Sequence, residues 1–343
     1  MSRSIASVPN QTVSTRLTRR RPLSVLQLAE RYGLLWLLLL VIVFFSLYSK
    51  TSDVFTSSAN IKNILANEAV IGLAALAALV PLASLRFDVS VGAVLGGSTV
   101  LVAYLTVNQG WSLPAAIGVS LLAGTAVGAL NGFVIAYVGP SSFIVTIGVA
   151  TAVGGLVSLF SKDQTIVGVP QSLLDFGNQY WLGIPRPTWL LAAVALVVAY
   201  LLRYTVFGRQ LLQIGSNPNS ARLVGIPVKR RVLSAFVLAG FLAAIAGTLQ
   251  LARTGSGNPG NTVNFTLNAL AACFLGATSF RPGQFNVAGT ITGVFFVAVT
   301  VNGLTLAGAN DWVEPLFNGT AVVLAVTLST VLGRRRGRVS AGT

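Results

Sequence analysis

Along much of this chain charged residues vanish for stretches of membrane length. None occurs in residues 89–161, 232–252, 282–310 or 315–333. Within these stretches apolar side chains occupy every face of a helix rather than one stripe, as in helices surrounded by lipid or by other apolar helices. About 20 such residues cross the ~30 Å hydrocarbon layer, and Gly, Pro and Asn punctuation divides the runs. The pattern predicts an all-α polytopic membrane protein with about ten spans, at 34–48, 65–85, 89–107, 113–138, 143–160, 188–204, 232–251, 265–280, 287–307 and 312–332. Pro81 in the second and Asn268 in the eighth mark places where a span can break.

Composition agrees: of 343 residues 54% are hydrophobic and 9% charged, against about 25% charged in an ordinary soluble domain. The formal charge of +15 would suggest a nucleic-acid partner in a soluble protein, but here it is distributed by side. With both termini in the cytosol, only Lys50, Lys62, Lys162, Arg186 and Arg253 among the 23 basic residues fall outside, as positive-inside bias requires. The charge therefore reads as orientation in a membrane, with no nucleic acid implied. Residues 1–33 read as a polar, arginine-rich cytosolic arm, 34–332 as the membrane domain, and 333–343 as a basic cytosolic tail.

Chemistry is mostly excluded. Histidine is absent and Cys273 is the sole cysteine, so His triads, His or Cys metal centres, redox pairs and intrachain disulfides cannot form. No lysine follows a glycine, as a P-loop requires; Lys50, Lys62, Lys162 and Lys229 follow Ser49, Ile61, Ser161 and Val228. The eight acids, Glu30, Asp53, Glu68, Asp88, Asp163, Asp175, Asp311 and Glu314, are scattered and form no paired acid and base. We expect no enzyme and no cofactor, and read Cys273 as a small apolar core residue.

A few polar residues stand inside or at the ends of spans. Asp88 has apolar sequence on both sides and reads either as a gate at a helix break or as the N-terminal cap of the third span. Asn131, Asn268 and Asn302 can hydrogen-bond a neighbouring helix or a polyol, and Phe143 and Asn268 are the residues placed best to face a passing solute. Glycines recur at helical spacing, at 92 and 96, at 124, 128 and 132, and at 289 and 293, which serves either close packing within the subunit or a dimer seam. The outer segment 161–187 carries Tyr180 and Trp181, with Trp189 just beyond. It reads as an interfacial belt, or as a short helix that touches a binding protein.

The longest cytosolic connection, 205–231, has internal order. Asn217 suits an N-cap, Pro218 the first helical position, and Gly225 a C-terminal cap, which predicts a short helix of about two turns. Leu223 and Ile226 would then be available to seat in a partner's groove. Gly215, Asn217, Ala221, Arg222, Gly225 and Ile226 match the pattern G-x-N-x-x-A-A-R-x-x-G-I, with Ser220 in place of the first alanine. Phe87-Asp88-Val89-Ser90-Val91-Gly92 is similar to D-L-S-V-G, Asn131-Gly132 and Asn302-Gly303 to paired N-G motifs, and Phe143 to Gly148 to F-I-V-T-L-G. In this order along the chain these motifs resemble the permease subunits of ribose-type sugar ATP-binding-cassette (ABC) transporters. Leu267-Asn268-Ala269 departs from L-D-A by losing the acid, and Arg281-Pro282-Gly283-Gln284 replaces a Gly-Gly pair.

The resemblance implies a conduit for a monosaccharide, a pentose or hexose, delivered by an extracytoplasmic binding protein. It also implies a place in the plasma membrane of a bacterium, a separate cytosolic ATPase docked on residues 215–226, and a second permease copy that completes a homodimer. The implied path or gate residues are Asp88, Ser90, Asn131, Phe143, Asn268 and Asn302. Two alternatives stay open: an ion-coupled secondary transporter, and a permease of the same family for nucleosides or another small polar solute.

Overall fold

The computed structural model describes residues 25–310 together with 312–317, 319–321, 323, 324 and 327. The arm up to residue 24, the tail 333–343 and nine of the 21 residues of the expected tenth span lie outside the described residues. Helix α1 (Val25–Leu47) is bent at Tyr32, whose backbone is not helical. The short α2 (Ser52–Phe55) leads into α3 (Ser58–Leu82). Then come α4 (Val91–Ala103), α5 (Leu113–Phe133) and α6 (Ser142–Ser161), the first two ending in π-helical turns at Tyr104–Asn108 and Val134–Val138. An outer segment holds β1 (Ile166–Val167), α7 (Gln171–Asn178), β2 (Tyr180–Trp181) and β3 (Ile184–Pro185). It is followed by α8 (Arg186–Tyr204), α9 (Val206–Ser216), α10 (Pro218–Leu223) and α11 (Val228–Thr254). Last are β4 (Ser256–Gly257), α12 (Thr262–Gly276) and α13 (Val287–Leu306).

Among the described residues seven helices are long and apolar enough to cross a membrane, and Arg31–Leu47 and Phe265–Gly276 form two shorter apolar helices. They coincide with nine of the expected spans, with three corrections. α3 starts at Ser58 instead of residue 65, because Ser57 accepts a hydrogen bond from the Asn60 N–H at 3.2 Å and caps the helix seven residues early. Pro81 sits at its last turn and ends it rather than breaking it. α12 runs unbroken through Asn268.

The centre is built by α3 and α11. Ala, Leu and Val cover every face of α3 from Ala69 to Leu82, and nearly all are inaccessible, packed against side chains of α4, α8, α11, α12 and α13. α6 and α8 lie at the periphery with most of their surface exposed. In lipid no hydrophobic force drives helices together, so close packing of small side chains does, and that is where the repeated glycines go. Gly124, Gly128 and Gly132 meet α11, while Gly289 and Gly293 meet α12. Within the subunit they serve internal packing. Cys273 is fully buried, its Sγ 3.2 Å from the Ala75 carbonyl oxygen.

The outer segment is fastened to the bundle. β1 pairs antiparallel with β4, and β2 with β3. The Asn178 amide donates to the Ala252 carbonyl at 3.3 Å, while the Arg253 guanidinium donates to the Gly177 carbonyl and to Asn178 Oδ1, at 3.2 and 2.8 Å. The short helix expected here is therefore α7, and it packs on the end of α11.

Candidate functional site

The sequence-derived path residues fall into two groups rather than one. Between α3 and α4 the chain runs without helix from Arg86 to Ser90, and backbone of this kind among membrane spans needs partners other than water. Hydroxyl side chains supply them. The Phe87 and Val89 N–H groups donate to Ser142 Oγ and Thr146 Oγ1 on α6, each at 3.1 Å. Thr266 on α12 donates to the Val89 carbonyl at 3.2 Å and accepts from the Gly92 N–H at 3.0 Å.

Asp88 and Ser90 are both buried here. Ser90 donates its N–H (2.9 Å) and its hydroxyl (2.6 Å) to Asp88 Oδ1, and the Asn131 amide on α5 donates to Ser90 Oγ at 2.8 Å. Asn131 Oδ1 is buried with no hydrogen-bond partner among the described residues. Asp88 thus accepts from Ser90, the residue before α4, not from the first turn of α4 itself. The result is a polar joint tying the α3–α4 segment to α5, α6 and α12. Asp88→Ala leaves two buried donors of Ser90 unpaired, at about 1–3 kcal/mol each. We expect a melting temperature several degrees lower for the detergent-purified protein, measured by differential scanning fluorimetry, with a smaller drop for Asn131→Ala.

Asn268 and Asn302 belong elsewhere. They line a cavity of about 240 Å³ between α3, α12 and α13, whose other polar walls are Asn63, Asn67, Glu68, Thr305 and Glu314. Asn302 and Asn60 exchange amide hydrogen bonds at 3.0 and 3.1 Å, and the Asn268 amide reaches Glu314 Oε1 at 3.5 Å. Arg253 donates to Asn67 Oδ1 at 2.6 Å, and Asn67 to Asn63 Oδ1 at 3.1 Å. Carboxylates and carboxamides around one cavity offer the alternating acceptors and donors that a hydroxyl-rich solute uses. Sequence reasoning missed Asn63, Asn67, Glu68 and Glu314. The available signal was the spacing of Asn60, Asn63 and Asn67, one face of a helix, which straddles the expected start of the second span at residue 65. Phe143 joins neither group: it is 52% exposed at the start of α6.

The segment 205–231 holds two helices. The sequence showed α10 but not α9, whose Leu211 and Ile214 are fully buried. Thr205 caps α9 through the Gly208 N–H, and Asn217 Oδ1 caps α10 through the Asn219 and Ser220 N–H groups at 3.0 and 3.1 Å. Gly225, with φ +82°, turns the chain out of α10. Ala221 and Ile226 are buried in a cluster with Ile135, Ile214, Val228, Val232 and Phe236. Ile226 therefore fastens the element and is not available to a partner. Arg222, Leu223 and Val224 are exposed at the end of α10, the last two at 89% and 74%. Gly215 lies against the end of α3, where a Cβ would stand 2.7 Å from the Ala83 carbonyl oxygen.

Residues 60–328 match the family model described as branched-chain amino acid transport system / permease component. The chain belongs to this permease family. Curated relatives include the L-arabinose ABC transporter permease protein AraH of Azospirillum brasilense, 32% identical over 88% of each chain. The xylose transport system permease protein XylH of Escherichia coli is 28% identical over 83% of this chain and 88% of its own. The D-allose transport system permease protein AlsC of the same species is 26% identical over 94% and 98%. No solved structure matches. The permease is a multi-pass protein of the plasma membrane, and the matched stretch contains the buried joint, the polar cavity and the α9–α10 element.

Proposed function

We propose that this permease is the membrane subunit of an ABC importer, carrying a monosaccharide handed over by an extracytoplasmic binding protein and driven by a separate ATPase. The relatives are named for L-arabinose, xylose and D-allose, so the substrate class is an aldopentose or aldohexose. The Asn and Glu side chains of the 240 Å³ cavity suit such a solute. Two copies of the chain form the path, and both termini face the cytosol.

The observation that carries the reading is the α9–α10 element: its inner residues are buried in the bundle while Arg222, Leu223 and Val224 at the end of α10 are exposed. An ATPase seated on this exposed end moves α9 and α10 together. Gly215 passes the motion to α3 at Ala83, five residues before Asp88, so that opening and closing act at the α3–α4 joint.

The test is uptake of radiolabelled arabinose, xylose, allose and ribose into proteoliposomes containing the permease, with the binding protein and ATPase encoded beside it. We expect accumulation of at least one aldose that needs all three proteins and ATP on the ATPase side. Accumulation that persists without the ATPase and collapses with an uncoupler would replace this reading with ion coupling, and competition by nucleosides but no sugar would replace the substrate class.

A further inference from the structure

A second cavity, of about 210 Å³, lies at the other end of the bundle among α1, α8, α9 and the turn that leads into α13. Three arginines line it, Arg31, Arg203 and Arg281. Arg31 stands at the bend of α1, Arg203 in the last turn of α8 and Arg281 in the turn between α12 and α13, all on the side that the charge distribution assigns to the cytosol. Among the described residues lining the cavity none is acidic. The guanidinium groups of Arg31 and Arg203 lie over aromatic rings, those of Tyr32 and Tyr204, at 5.5 and 5.3 Å. The positive charge of the pocket is therefore held without a counter-ion from the lining.

The pocket is built. The bend at Tyr32 turns the Arg31 carbonyl to the turn after α12, where it accepts from the Phe280 N–H at 2.6 Å and from Ser279 Oγ at 3.0 Å. Ser279 is fully buried, the Tyr32 and Phe280 rings meet edge to face at 5.6 Å, and Phe280 is held at φ +57°. A phenylalanine keeps that conformation only where surrounding contacts impose it. Its effect here is to place Arg281 beside the first turn of α13, whose residues Asn286, Val287 and Ala288 complete the wall. The positive end of a 20-residue helix adds to the three guanidinium groups.

The geometry points to a binding site for a phosphate group, supplied by the headgroup of an anionic phospholipid of the inner leaflet. The choice of source follows from the walls. Eight of the 13 lining residues are apolar, among them Leu202, Leu212 and Phe285. On α8, Leu196, Tyr200 and Arg203 repeat at i, i+4 and i+7, one face of the helix, with Leu196 72% and Tyr200 62% exposed. An acyl chain can lie along that row while its phosphate reaches the arginine fork. A soluble phosphate would use the arginines and leave the row bare. Basic pockets between helix ends at the cytosolic surface recur as headgroup sites.

The experiment uses the full-length permease, stripped of lipid in detergent, with melting temperature and native mass spectrometry as readouts. Dioleoylphosphatidylglycerol and cardiolipin are compared with dioleoylphosphatidylcholine, inorganic phosphate and ATP. Retention of anionic lipid with a raised melting temperature, weakened about tenfold or more in Arg203→Gln/Arg281→Gln, supports the site. Arg230→Gln, on the same side but outside the cavity, is expected to bind as the wild type does. If the double variant fails to fold, Arg281→Lys, which keeps the charge and loses the planar fork, is measured beside the lipid selectivity of the wild type. Protection by inorganic phosphate or ATP in place of lipid keeps the phosphate site and moves its source to the cytosol. Equal response to phosphatidylcholine, unchanged binding by the variants, or equal weakening in Arg230→Gln overturns it.

Discussion

Gly128→Leu is expected to abolish accumulation of the folded permease. A Cβ on Gly128 would stand 2.2 Å from the Phe236 carbonyl oxygen, and one on Gly240 would stand 2.1 Å from the Gly124 carbonyl oxygen. α5 and α11 therefore touch backbone to backbone, and no rotamer relieves the clash. Overpacking a core ordinarily costs about 1–3 kcal/mol through shifts of flexible neighbours; here two helices would have to part along a contact that also places Asn131. We expect a loss above about 3 kcal/mol, a large share of the ~5–15 kcal/mol that keeps a protein folded. The check is fluorescence-detected size-exclusion of the full chain beside Gly118→Leu. Gly118 lies on the same helix with nothing near its Cβ position, so that control should leave the monodisperse peak unchanged. Equal behaviour of the two variants would refute the packing account.

Leu223→Asp is expected to have the opposite profile: a stable protein that does not transport. Leu223 is 89% exposed on α10, so within the subunit the substitution should stay inside about 0.5 kcal/mol. At a docking surface the same change puts a charge where an apolar side chain seats, and loss of a central anchor costs about 2 kcal/mol or more, over tenfold in affinity. Copurification with the ATPase and binding-protein-dependent uptake should both fall at least about tenfold, with the melting temperature unmoved. Ile226→Asp separates the roles. Because Ile226 is buried against Ile214, Val228 and Phe236, it should lower the melting temperature as well as transport. Normal uptake by Leu223→Asp would move the ATPase contact off α10.

Several of these features were legible without coordinates. The cap chemistry of Asn217, Pro218 and Gly225 is local, since a side-chain oxygen two residues from the N–H it accepts needs no tertiary partner, and α10 appears where that chemistry puts it. α9 was missed although Val206, Phe207, Leu211, Leu212 and Ile214 recur near helical spacing in it, because the stretch reads as a short connection until partners far away in the chain bury Leu211 and Ile214. The early start of α3 was missed because Asn60, Lys62 and Asn63 look like loop until Asn302, 242 residues later in the chain, takes up the Asn60 amide.

What the sequence determined by itself follows from short-range rules. Charge-free runs of membrane length, positive-inside asymmetry and caps depend on neighbours within a turn or on the solvent, so they yield the all-α membrane class, the places of nine apolar helices, an expected orientation and the short helix α10. Tertiary structure decided which polar residues meet. Asp88, Ser90 and Asn131 join in one buried place, Asn268 and Asn302 line another with Glu68 and Glu314, and Phe143 is left outside both. It also decided that the glycines of α5 face α11. In an almost uniformly apolar helix no hydrophobic stripe marks the inward face, so only the packing of small against small across helices settles which way each residue points.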